Sequence, residues 1–198
     1  MDIDNLSAGL RRISYPPQLQ MVDRGIRGEG FYPGAAQCLF GDGSPQIMLL
    51  GRDFGTLAYY EKLAALAGRS EYALTWRHTR SIYLTELAKA SLFCTNYLMG
   101  VRVDGSAKGD LSARMTNEEW KAFEESCWVF LQRQIQTFEP DLILVFGSDN
   151  RRDLDQSLPL RQIGTPMEFG PHPHSAIGSK NQEPHLEVCR RIRTRFSL

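Results

Sequence analysis

The chain has 198 residues, of which 42% are hydrophobic and 23% charged, and its formal net charge is zero. That balance describes one globular domain and excludes a disordered chain, a collagen and a coiled coil. Zero net charge also lacks the strongly basic footprint of a protein that grips nucleic acid by charge alone, while leaving room for a local basic groove. No apolar run approaches the ~20 residues that cross a bilayer. The acidic start Met1-Asp2-Ile3-Asp4 carries no secretory signal, so the expected location is the cytoplasm, with no membrane partner. The cysteines Cys38, Cys94, Cys127 and Cys189 are widely spread with no C-x-x-C pair, which predicts reduced, mostly buried thiols rather than a metal site.

In chain order, residues 1–35 read as an irregular extension with a short helical stretch at 6–13, broken at Pro16-Pro17 and Pro33-Gly34. Gln46–Gly51 is an unbroken apolar run, the mark of a strand buried on both faces. Helical spacing follows at 56–67 and again at 81–89, and 91–95 reads as a second buried strand. A loop rich in glycine and charge, 100–113, leads to a long helix at 117–137. Its apolar residues Trp120, Phe123, Cys127, Phe130, Leu131 and Ile135 share one face. The clearest strand is 140–147; a short helix at 150–156, a weaker strand at 166–170 and an amphipathic helix at 184–196 complete the pattern.

Strands alternating with helices predict an α/β fold, a three-layer α/β/α arrangement around a central, mostly parallel four-stranded sheet. In such sheets, ligands bind outside the carboxyl ends of the strands. The residues that follow the strands are therefore the informative ones. They are Gly51-Arg52-Asp53-Phe54-Gly55, Asn96-Tyr97, Gly147-Ser148-Asp149-Asn150 and Gly170-Pro171-His172-Pro173-His174-Ser175. A carboxylate, an amide, a small hydroxyl with backbone donors, and histidines converge on one rim.

In order and content, these segments resemble the uracil-DNA glycosylase superfamily over residues 46–179. Gly51-Arg52-Asp53-Phe54-Gly55 resembles the motif after its first strand, and Cys94-Thr95-Asn96 the strand-ending Thr-Asn that reads the base edge. Phe138-Glu139-Pro140-Asp141 with the run ending at Gly147 resembles its Pro-initiated strand, and His172-Pro173 its His-Pro-Ser motif. The resemblance implies a monofunctional, cofactor-free enzyme that hydrolyses the N-glycosidic bond of uracil or a related damaged base in DNA. Asp53 would stabilise the sugar cation and orient water, and His172 would donate to the departing base. Asn96 would pair with the Watson–Crick edge of a flipped-out base, since an amide offers donor and acceptor side by side. Gly51, Gly55, Ser148 and His174 would complete the pocket, with Trp76 or Phe54 stacking on the base. Ile177 would be the wedge left in the duplex, and Lys180 and Arg102 would meet phosphate. The partner implied is DNA carrying a damaged or deaminated base, bound by a monomer.

Some positions depart from the family pattern. Gly55 stands where one branch has a tyrosine that excludes 5-substituted pyrimidines, which implies a roomier pocket and activity beyond plain uracil. Some branches place the acid one residue earlier, where this chain has Arg52, and His-Pro-His leaves His172 and His174 as rivals. The cysteine spacing does not match that of the iron–sulfur branches. Bland roles stand beside the sharp ones: Asp53 as a helix cap, Asn96 in a strand-end turn, Trp76 in the core, and the basic stretch 190–195 as the solvated end of a helix. Two other functions compete, a nucleobase- or nucleic-acid-binding protein that does not cleave, and a metal-dependent hydrolase built on His172 and His174.

Overall fold

The computed structural model describes residues 8–21, 39–40, 43, 45–53, 55–58, 80–103, 111–147, 163–172 and 181–198. The strands are β1 (Leu19–Met21), β2 (Leu39–Phe40), β3 (Gln46–Gly51), β4 (Ser91–Asn96), β5 (Gly100–Arg102), β6 (Leu142–Phe146) and β7 (Met167–Gly170). The two long helices are α1 (Asn117–Phe138) and α2 (Glu183–Phe196). Residues 59–67 of the helix expected at 56–67, and the whole of the helix expected at 150–156, lie outside the described residues.

The central sheet runs β2-β4-β3-β6-β7. β4, β3, β6 and β7 are mutually parallel, as expected, and the two-residue β2 adds an antiparallel edge. Every residue of β6, and every residue of β3 and β4 after the first, is buried, which is why these strands read as continuous apolar runs rather than alternating ones. Alternation sorts the side chains by face. Met48, Leu50, Phe93, Ile143 and Val145 pack in one cluster with Phe123, Cys127, Phe130, Leu131 and Ile135 of α1. Ile47, Leu49, Leu92, Cys94, Leu144 and Phe146 pack in the other with Val188, Cys189 and Ile192 of α2. Helices cover both faces, giving the three-layer α/β/α fold.

α1 starts at a reciprocal cap. The Thr116 hydroxyl accepts from the Glu119 amide at 3.2 Å, and the Glu119 carboxylate accepts from the Thr116 amide at 2.8 Å. It ends at Glu139 in a left-handed conformation, φ 48°. Residues 80–84, which overlap the start of the regular helix expected at 81–89, form a wider π-helical turn. Its Tyr83 is fully buried and shares a 2.8 Å hydrogen bond with Nδ1 of His185 on α2.

Part of the expected irregular extension belongs to the core. Leu10, Ile13 and Leu19 are buried against the α1 face. β1 pairs antiparallel with β5, which opens the stretch expected to be loop. Short strands of three residues carry no readable period, so this ribbon is set by its partners rather than by local pattern.

Strand order locates the crevice. From β3 the chain passes to β4 on one side, whereas β6 passes to β7 on the other. β3 and β6 are neighbours whose onward connections diverge, the switch point where ligands enter open α/β sheets.

Candidate functional site

The carboxyl ends of β3 and β6 are Gly51 and the residue before Gly147. The chain beyond β3 is held by a ladder to the segment after β4. Tyr97 N–H donates to the Gly51 carbonyl at 2.9 Å, Leu98 N–H to that of Arg52 at 2.7 Å, and Arg102 N–H to that of Gly55 at 3.0 Å. Within this loop Asp53 makes an Asx turn, its Oδ1 accepting from the Gly55 amide at 3.0 Å. Gly55 has φ 82°, a conformation that side chains resist, so the backbone itself requires glycine here.

Asp53 Oδ2 faces Arg102. The guanidinium Nη2 donates to it at 3.1 Å, and the two side chains are 5% and 19% exposed for Arg102 and Asp53. Arg102, expected to meet a DNA phosphate, is thus buried and paired with a carboxylate. The side chain is turned inward on a carboxylate because β5 is tied to β1 on one side and to Gly55 on the other. Sequence reading missed this pairing; the partners lie 49 residues apart and no local pattern links them.

At the end of β4, Asn96 pairs in register with Gly51 and is only 4% exposed. A Cβ built on Gly51 would lie 2.1 Å from Asn96 Oδ1, so the amide lies against bare backbone. A side-chain amide at a strand's carboxyl end carries a donor and an acceptor side by side. Its neighbour Thr95 points to the opposite face and donates to Gln134 Oε1 at 2.9 Å.

His172 follows β7 and is exposed. It lies beside the end of β6: a Cβ on Gly147 would come within 3.8 Å of the His172 Cβ. The Gly147 amide donates to the Gly170 carbonyl at 2.9 Å, which holds the two strand ends together. The structure thus brings Gly51, Asp53, Gly55, Asn96 and His172 to one rim. Phe54, Trp76, Ser148, His174, Ile177 and Lys180 lie outside the described residues.

No protein-family model matches this chain, and no curated protein matches it.

On α2, Arg190 bonds Glu183 at 2.7 Å and Glu187 at 2.8 Å, and Arg193 bonds Glu86 at 2.7 Å. Three of the four arginines of the stretch 190–195 are thus paired with carboxylates, Arg190 within α2 and Arg191 and Arg193 with Glu168 and Glu86 on other elements. Among the described residues no three His, Cys, Asp or Glu side chains are grouped to hold a metal ion. Cys94, Cys127 and Cys189 are buried and in no disulfide, as expected. Burial pushes the Cys127 and Cys189 thiols up to about 12, leaving them protonated and unreactive. Among the described residues, no helix is long and apolar enough to cross a membrane.

Proposed function

We propose that the protein is a DNA glycosylase of the uracil-DNA glycosylase type, acting in the cytoplasm as a monomer in base excision repair. The observation that carries this reading is the Asn96 amide, buried against Gly51 at the carboxyl end of its strand, on the same rim as Asp53 and His172. An amide so placed suits a heterocycle whose edge presents a donor beside an acceptor. A base reaching it must leave the helical stack. Asp53 would then lie under the sugar. A carboxylate offers about four lone-pair sites, and the Asx turn and Arg102 take one on each oxygen, leaving capacity to orient a water and to stabilise positive charge at C1′. Water adds to C1′ as the bond to the base nitrogen breaks. His172 donates to the base oxygen as negative charge develops there. No lysine occupies the matching motifs to form a Schiff base, so the reaction ends at an abasic site.

A second reading is a nucleobase-binding protein that does not cleave. It is favoured by the engagement of both Asp53 oxygens within the fold. One assay separates the two. Single- and double-stranded oligonucleotides carrying uracil, hypoxanthine, xanthine or mispaired thymine are incubated with wild type, Asp53→Ala and Asn96→Ala, then treated with alkali. Cleavage that disappears in Asp53→Ala supports the glycosylase. Binding that persists without cleavage, and weakens in Asn96→Ala, supports the second reading.

A further inference from the structure

The charged pair at the rim joins two parts of the molecule with different anchorage. Arg102 closes β5, whose neighbours are deep in the core. Val101 is fully buried, and a Cβ on Gly100 would lie 3.0 Å from Leu19 and 3.1 Å from Phe123 of α1. In the loop after β3, Arg52, Asp53 and Gly55 are half-buried. Arg102 grips this loop twice, through its backbone amide on the Gly55 carbonyl at 3.0 Å and through its guanidinium on Asp53 Oδ2 at 3.1 Å. The Gly55 amide in turn holds Asp53 Oδ1 at 3.0 Å. Asp53, Gly55 and Arg102 thus form a closed ring of contacts that fixes both carboxylate oxygens relative to β5.

We infer that Arg102 is the positioning residue of the candidate site, setting the Asp53 carboxylate from the rigid β1–β5 ribbon without touching the substrate. Its catalytic consequence rests on the glycosylase reading; the clamp itself does not. The side-chain chemistry is specific. A planar guanidinium presents donors in a fixed fork, whereas a lysine ammonium is a mobile point charge on a flexible stem. Arginine at this position therefore orients the carboxylate as well as neutralising it. The ribbon gains a role too, since the β1 segment holds the strand that carries the clamp.

The test uses the full chain and the variants Arg102→Met and Arg102→Lys. Two quantities are read: single-turnover base release alongside DNA affinity, and hydrogen exchange at the Gly55 amide, which reports its bond to Asp53. Misplacing a reacting group by about 1 Å costs on the order of 100-fold in rate. Arg102→Met is therefore expected to lose about that much rate, with affinity within about threefold of wild type. Its Gly55 amide should exchange at least about tenfold faster. Arg102→Lys should fall between on both readouts. A folded Arg102→Met with wild-type rate overturns the inference. So does a loss confined to DNA affinity, which would make Arg102 a phosphate contact after all. Should Arg102→Met not fold, wild-type rate and wild-type Gly55 protection in Arg102→Lys overturn it equally. If the wild type releases no base, the glycosylase reading fails, and Gly55 protection alone decides the clamp: faster exchange in the variants upholds it and unchanged exchange removes it.

Discussion

The two ends of the same parallel strands are finished differently. At the amino edge the backbone closes on itself. The Gln46 amide donates to the Asp141 carboxylate at 2.9 Å, Asp141 N–H to the Gln46 carbonyl at 2.9 Å, and Ser91 N–H to the Pro45 carbonyl at 3.1 Å. At the carboxyl edge the chain turns away through Gly51 and Gly147, and the Asn96 amide is buried against Gly51. An aspartate stands at each end, yet Asp141 serves a strand amide whereas Asp53 is held on the rim by a buried arginine. Similar residue types thus do structural work at one edge and are kept in place for something else at the other.

The largest effects should separate the edges by function. Asp53→Ala is expected to abolish base release. It also leaves the Arg102 charge buried without its carboxylate, so stability should fall by about 3 kcal/mol, measured by urea denaturation. Asp53→Asn separates the two losses. It keeps an oxygen for the Gly55 amide and removes the negative charge, so it should lose base release while remaining closer to wild type in stability. Base release by Asp53→Asn at wild-type rate would reduce Asp53 to a structural partner of Arg102, and the two edges would then differ only in geometry.

A matched glycine pair sharpens the contrast. A Cβ on Gly51 would meet Asn96 Oδ1 at 2.1 Å, and one on Gly43, near the amino edge, would meet the Lys89 carbonyl oxygen at the same 2.1 Å. Both alanine variants should lose stability by about 1–3 kcal/mol through overpacking. Only Gly51→Ala displaces the amide of the candidate site, so only it should also lose base release or base affinity. Equal functional loss in both would mean that strain anywhere in the sheet suffices, and would detach Asn96 from the function.

Much of this frame was legible in the sequence. β3 runs Gln46–Gly51 as read, because a strand buried on both faces must be apolar throughout and glycine ends it. α1 extends only one residue past its expected end, because its apolar spacing is what buries it against the sheet. The positions of Asp53, Asn96 and His172 on one rim followed from parallel order alone. The ribbon β1–β5 and the Asp53–Arg102 pair did not, since long-range pairing of short segments leaves no periodic trace. Thr116 and Glu119, by contrast, carry a capping spacing that is legible in the sequence.

The buried thiols test both faces of the sheet at once. Cys127 belongs to the α1 face and Cys189 to the α2 face, each pushed up to about 12 by burial. An unfolded thiol ionises near pH 8.5. Above that pH the unfolded chain binds fewer protons than the folded one, so stability falls as pH rises, until the folded thiols ionise in turn. The slope should approach about 1.4 kcal/mol per pH unit for each thiol. Urea denaturation at pH 8 and pH 10, with Cys127→Ala and Cys189→Ala each removing one share of the slope, checks this. A pH-independent midpoint over that window would mean the thiols are reached by water.

The smallest effect returns to the amino edge. Asp141 is exposed, and its carboxylate serves the Gln46 amide at 2.9 Å. Water can replace an acceptor lost from an exposed position, so Asp141→Ala should cost only about 0.5–1 kcal/mol. The strand register survives, because the Asp141 amide still donates to the Gln46 carbonyl and the interior pairs from Ile47↔Leu142 onward are untouched. Base release by Asp141→Ala should therefore equal that of wild type. A loss comparable to that of Asp53→Ala would show that the amino edge transmits strain along β3 to Gly51. The two ends would then be coupled through six residues of one strand rather than independently finished.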